Sequence, residues 1–248
     1  MPEIDLPPYL ISEIENGNVV LMLGAGASFG TKNAEGQSAP MAAELAKLLA
    51  NKFLSPTYAD KPLGWVANYT ISEATLAPVQ EYVASLVEGL APSPAHKLLT
   101  TFRWRAIVTT NYDMLIEDAY AANTSAPQKL VPLLDDDQNS DAKLRDTNAL
   151  PLLKLHGCIT QTRNAACPLV LSADSYIDYE NKRSRLFHWF RELASDRTVM
   201  VLGYSLTDPN ITAILERLTQ RLPNRLRYYL LTKNITPIEI RYWEKKKI

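Results

Sequence analysis

Val19 to Leu23 is an unbroken apolar run that ends in glycine, the pattern of a strand buried on both faces of a parallel sheet. Gly24-Ala25-Gly26-Ala27-Ser28 follows, then a Gly-, Asn-, Ser- and Pro-rich stretch from Gly30 to Pro40. Met41 to Phe53 comes next, with Leu45, Leu48 and Leu49 on one side of a predicted helix. The order is strand, glycine turn, mobile loop, helix. From Ser55 to Thr101 the helical spacing is interrupted by Pro56, Pro62, Pro78, Pro92 and Pro94, which predicts short helices packed as a subdomain over about residues 52–101.

Arg105 to Thr109 reads as a strand and Asp113 to Ala122 as a helix. The polar stretch from Asp135 to Asn148 predicts an exposed loop, and Ala149 to Leu155 a strand running into His156-Gly157. Val170-Leu171 is read as a short strand, and Asn181 to Ala194 as a helix with Leu186, Trp189, Phe190 and Leu193 at helical spacing. Thr198 to Leu202 is another strand of the buried type. Asp208-Pro209 then opens a helix in the expected way, an acidic cap followed by proline. Leu226 to Leu231 predicts a strand and Thr236 to Lys245 a helix with a basic end.

Strands that alternate with helices in this way imply an α/β fold, a Rossmann-like parallel sheet with helices on both faces and a small helical insertion. Ligands of such sheets sit at the carboxyl ends of the strands. Gly24, Asn111, His156 and Gly203 each fall just beyond a predicted strand end, which points to one site. The chain stops at Lys245-Lys246-Lys247-Ile248, where a further apolar strand is expected, so the sequence is expected to be the N-terminal domain of a longer polypeptide.

Composition narrows the class. With 248 residues, 46% hydrophobic and 21% charged, the chain is an ordinary folded one. Its formal net charge is -1 and Lys and Arg are not concentrated ahead of the C-terminus, so direct nucleic-acid binding is not expected. Cys158 and Cys167 do not make a disulfide framework, and Glu3, Asp5, Glu13 and Glu15 interrupt any secretory signal, so a cytoplasmic location is expected. No segment approaches the roughly 18 apolar residues that cross a bilayer.

A glycine turn between a strand and a helix lets backbone N–H groups approach a pyrophosphate. Gly24 and Gly26 fit that use. A dehydrogenase fingerprint needs a third glycine where Phe29 stands and an acid ending the second strand, whereas Glu44 lies inside a predicted helix. Asn111 and Asp113 follow an apolar strand and would face the crevice, although Asp113 equally suits a helix cap. His156 is the side chain best suited to accept a proton near neutral pH, and its alternative is a hydrogen-bonded core imidazole. His96 and His188, on predicted helices, are read as structural. Gly203-Tyr204-Ser205-Leu206, with Asp208 close behind, is by itself a turn and a cap.

Taken in order, Gly24-Ala25-Gly26-Ala27-Ser28, Thr109-Thr110-Asn111-Tyr112-Asp113, His156-Gly157 and Gly203-Tyr204-Ser205-Leu206 resemble the four core motifs of the sirtuin family. The resemblance implies that Gly24, Ala25, Gly26 and Ser28 embrace the NAD+ phosphates and adjacent ribose. It implies that Asn111 and Asp113 face the nicotinamide ribose and carboxamide and that His156 is the catalytic histidine, with Asn111 beside it. Gly203 and Ser205 would hold the adenosine side, with Tyr204 and Asp208 as neighbouring cofactor-binding candidates. Thr110 stands where sirtuins usually have glutamine, so its place on the ribose side is the weakest of the set.

Deacylase sirtuins carry a four-cysteine zinc ribbon after the histidine motif, and a structural zinc needs four ligands. Here that region offers only Cys158 and Cys167, so no metal is expected. The chain is accordingly similar to the sirtuin-like domains of bacterial antiviral effectors, which hydrolyse NAD+ to nicotinamide and ADP-ribose; Val170 to Tyr176 and Gly203 to Asn210 add to the likeness. This implies a regulated NAD+ glycohydrolase restrained by a partner, a homo-oligomer or a C-terminal domain, with Gly30 to Pro40 as a gate. The rival readings are an NAD+-dependent protein deacylase and a non-catalytic sensor of NAD+ or an ADP-ribose derivative.

Overall fold

A computed structural model describes residues 6–134, 140–204, 215–218, 220, 226–232 and 235–248. The apolar run Val19–Leu23 forms β1, buried along its whole length at the centre of the sheet. On one side of it lie β2 (Ala106–Thr109), β4 (Ala149–Lys154) and β3 (Lys129–Leu133); on the other lie β5 (Thr198–Leu202) and β6 (Tyr228–Leu231). The order is β3-β4-β2-β1-β5-β6 and every pairing is parallel, giving the Rossmann-like α/β sheet that the alternation predicts.

Side chains alternate across each strand, so one apolar run supplies two cores. Val20 and Met22 of β1, with Val199 and Val201 of β5, pack on one face against Leu186, Phe187 and Phe190 of α9 (Ser184–Asp196) and against Trp243 of α10 (Pro237–Glu244). Val19, Leu21 and Leu23 face the other way, onto Leu10 of α1 (Pro8–Glu15) and Ile116 and Tyr120 of α6 (Leu115–Ala122). A third cluster joins α2 (Ala42–Phe53), α3 (Leu63–Ala74) and α4 (Leu76–Val87), after which α5 (Pro94–Leu99) leads into β2.

Several boundaries differ from the sequence expectation, each for a local reason. β3 was not expected: Pro132 lacks a donor and Lys129 is exposed, a composition tolerated only at a sheet edge, where this strand lies. The helix expected over about 181–194 is α9, which starts three residues later, and a helix that was not expected, α8 (Ala173–Lys182), precedes it; the two are separated at Arg183, whose φ of -127° and ψ of 39° are not helical. Val170-Leu171 is not a strand. Its residues are buried without being in the sheet ladder: Leu169 and Leu171 enter the helical cluster while Val170 enters the sheet core. Within the polar stretch after β3, Ser140–Lys143 forms one helical turn, α7; Asp135 to Asp137 lie outside the described residues. No helix among the described residues is long and apolar enough to cross a membrane.

Phe190 is fully buried whereas Ile238 is 72% exposed. Phe190→Ala is expected to lower the unfolding free energy by about 3–5 kcal/mol. Ile238→Ala should stay within about 0.5 kcal/mol, both read from denaturant midpoints.

Candidate active site

The strands end in register. Leu23 pairs with Thr109 and with Leu202, and Thr109 pairs with Lys154, so Gly24, Thr110, Leu155 and Gly203 all leave the sheet at one level. The chain passes from the β2 side of β1 to the β5 side between β4 and β5, which makes the carboxyl end of β1 and β5 the topological switch point. There Gly24 donates its N–H to Leu202 O at 2.9 Å, and Gly26 to Gly203 O at 2.7 Å. A Cβ on Gly26 would stand 2.8 Å from Gly203 O, and Gly203 has a φ of +73°. The glycines are needed because two turns touch backbone to backbone, and the N–H groups expected to face a pyrophosphate point here at protein carbonyls.

Above Gly24 lies the ring of Tyr204, where a Cβ would collide with it. Its hydroxyl donates to Leu23 O at 2.9 Å and meets Thr110 Oγ1 at 3.1 Å, which sets the first residue beyond β2 against the second beyond β5. Ser205, Leu206 and Asp208, and the helix start at Asp208-Pro209, lie outside the described residues.

Asn111, half-buried, forms a polar network with buried Asp113 and Ser28. Ser28 Oγ donates to Asp113 Oδ2 at 2.6 Å, and Asn111 Nδ2 donates to Gly24 O and to Ser28 Oγ, both at 3.0 Å. Asp113 Oδ1 also accepts from Leu115 N at 3.1 Å, so the carboxylate both opens α6 and ties α6 to the glycine turn. Ala25 and Gly26 are exposed, whereas Ser28 is buried. The cavity that reaches this network is about 10 Å³, lined by Leu23, Asn111, Asp113 and Lys154 among others, and does not include His156.

His156 leaves β4 two residues after Lys154, as Asn111 leaves the neighbouring β2 two residues after Thr109. It is only 4% exposed, its ring edge-on to Tyr176 of α8 at 5.3 Å. Burial, and then the nearby Arg183 guanidinium, pull its pKa down to about 3. The ring is therefore neutral near pH 7 and, while covered, a weak base rather than one matched to neutral pH. His96 is buried in the capping box of α5 with Ser93, and exposed His188 meets Glu192 at 3.2 Å, both helix roles as expected.

Two buried cations were not anticipated. Arg183 donates to Leu155 O and Pro168 O, on either side of the His156-Gly157 turn and its packing partner. Lys154, in the apolar run before His156, donates to Asp113 O and to Glu117 Oε1. A lone charge inside an apolar strand signals a buried pair, so Lys154 was findable in principle; Arg183 looks like an ordinary surface helix residue. Cys158 Sγ lies 3.3 Å from Met114 S, and Cys167 Sγ donates to Leu134 O.

A central parallel strand, a glycine turn at the switch point and an Asn/Ser/Asp network beside it define a Rossmann-like architecture. The chain belongs to the SIR2-like domain family, which it matches over residues 105–248. It is similar to the NAD(+) hydrolase ThsA of Enterococcus faecium, 29% identical over 154 residues that cover 59% of this chain and 29% of that protein. It is also similar to the NAD(+) hydrolase ThsA of Acinetobacter baumannii (strain 532279), 23% identical over 231 residues that cover 91% of this chain and 44% of that one. The chain thus spans less than half the length of either relative.

Gly36 also has positive φ, 80°, but a Cβ there meets nothing within 4 Å. Gly203→Ala should therefore cost clearly more stability than Gly36→Ala, for which about 1 kcal/mol is expected from backbone strain alone; equal losses in thermal unfolding would contradict the close-approach account. A second outcome concerns pH. His156 is held below its unfolded value of 6.5, so stability is complete above pH 6.5 and falls as pH drops towards 3, because only the unfolded state takes up the proton. His156→Gln should flatten the pH dependence of the denaturant midpoint between pH 6.5 and 4.5.

Proposed function

We propose that this domain hydrolyses NAD+ to nicotinamide and ADP-ribose, as a regulated effector that depletes NAD+ in antiphage defence. The observation that supports the reading is that Asn111 and His156 follow the neighbouring strands β2 and β4 at matching steps, with Asn111 hydrogen-bonded to Gly24 of the glycine turn, in a chain similar to two proteins named NAD(+) hydrolase.

Nicotinamide in NAD+ is a cationic pyridinium. When its bond to ribose C1′ breaks, the electron pair goes to the ring nitrogen and the leaving group departs neutral, so no proton donor is required. The barrier lies in the oxocarbenium-like ribose, and the site's task is to orient and desolvate it. Asn111, fixed by Gly24 O and Ser28 Oγ, positions the ribose or the attacking water. The water oxygen bonds to C1′ and its proton passes to His156. In the covered chain His156 is a weak base, and an opening that hydrates its ring removes the burial that depresses it. Asp113 holds the carboxamide side, and Gly203, Tyr204, Ser205 and Asp208 the adenosine side.

An unrestrained enzyme of this kind would consume the NAD+ of its own cytoplasm. The resting domain is therefore restrained by a partner protein, a homo-oligomer or a further domain. Gly30 to Pro40 is the gate. Its tip closes on itself through Gln37 N to Asn33 Oδ1 at 2.8 Å, while Thr31 and Ala39 are buried at its base.

Incubation with NAD+ alone, followed by chromatography, tests the reading: nicotinamide and ADP-ribose should form without any acylated peptide. His156→Ala should reduce turnover by about 10²–10⁴-fold, and Asn111→Ala should reduce it as well. Strict dependence on an acylated peptide would establish a deacylase instead, and tight binding of NAD+ without product a sensor.

A further inference from the structure

We infer that Lys154 is a positioning residue whose buried ammonium holds the Asn111-to-Asp113 turn in place beneath the site; the inference rests on the hydrolase reading above. Lys154 is 1% exposed and stands among Leu152, Leu153 and Leu155, none of them exposed. An ammonium in such surroundings persists only when it is paired and fully hydrogen-bonded. Its partners are the main-chain carbonyl of Asp113 and, at 2.8 Å, the Glu117 carboxylate, itself 10% exposed.

The grip is on backbone, and what it grips matters. Asp113 accepts from Ser28 Oγ, and Asn111 donates to that same oxygen and to Gly24 O. A continuous run of contacts therefore leads from the last residue of β4, under β2, to the turn after β1. Leu155 N to Thr109 O and Ile159 N to Tyr112 O bind the same two segments through main chain, but neither reaches Asp113. Lys154 supplies that missing tie.

Stability alone does not account for this arrangement. Two ions taken out of water recover little net free energy compared with well-packed apolar residues, so a buried pair is a weak stabiliser. An ammonium aimed at one carbonyl is, by contrast, an effective way to fix where a turn lies. Displacements of about 1 Å at a reacting centre can lower turnover on the order of 10²-fold.

The test removes the charge without leaving Glu117 unpaired. Lys154→Met alone strands a buried carboxylate and is expected to fold poorly, so the informative variant is Lys154→Met/Glu117→Gln, with folding verified by circular dichroism and a cooperative thermal transition. Two quantities are read: steady-state NAD+ hydrolysis, and the Asn111 side-chain amide resonances in a 1H–15N spectrum, assigned with Asn111→Ala. The expected result is a kcat lowered about 10- to 100-fold with the KM for NAD+ within about threefold, together with shifted Asn111 resonances. A folded double variant with wild-type kcat, or with lowered kcat but unmoved Asn111 resonances, overturns the inference. If the wild-type chain hydrolyses no NAD+, the hydrolase reading falls, and the Asn111 resonances alone decide on Lys154: movement supports the positioning role and constancy overturns it.

Discussion

Gly26 donates to Gly203 O across a gap too narrow for any side chain, and the geometry at the carboxyl end of the sheet is set by that approach. Because the turns after β1 and β5 meet through backbone, Gly24 O is presented at a fixed place for Asn111, and Ser28 is turned inward to Asp113. Tyr204 then closes the top of Gly24 and reaches Thr110. The result is a packed floor at the switch point in which β1, β2 and β5 are tied by polar contacts made after their strands end.

The charges nearby are arranged differently on the two sides of β4. Burial pulls the Lys154 ammonium down, but Glu117, with Cys158 and Asp113 beyond it, more than offsets this and holds its pKa above the ordinary value, so it stays charged. Burial first, and then the Arg183 guanidinium that donates to carbonyl oxygens next to it, keep the His156 imidazole neutral. The Lys154 ammonium thus bonds to the turn after β2, while the Arg183 guanidinium bonds to the chain on either side of the His156-Gly157 turn. Both lie within strands and turns rather than on the surface, where such pairs contribute little.

Much of this was legible in the chain. Val19–Leu23 and the mostly apolar Thr198–Leu202 became interior strands, and Gly24, Thr110, His156 and Gly203 do lie just past strand ends. Edge strand β3 was not legible, because Pro132 and Lys129 carry the marks of a loop until a neighbouring strand is known. Arg183 fits a helical surface pattern, and only its tertiary partners explain why the helix breaks there. The cover over His156 was likewise hidden: Tyr176 lies on a helix remote in sequence, and burial of a side chain by a distant element leaves no periodic signal.

The irregular span at 168–171 joins two bodies. Leu169 and Leu171 are embedded in the helical cluster of α2, α3 and α4, while Val170 between them donates its N–H to His156 O at 3.0 Å. Close-packed interiors transmit displacement rather than absorbing it. One short strip of chain is thus packed into the helical cluster and hydrogen-bonded to the main chain of His156, so the insertion and the histidine turn are held at a fixed separation.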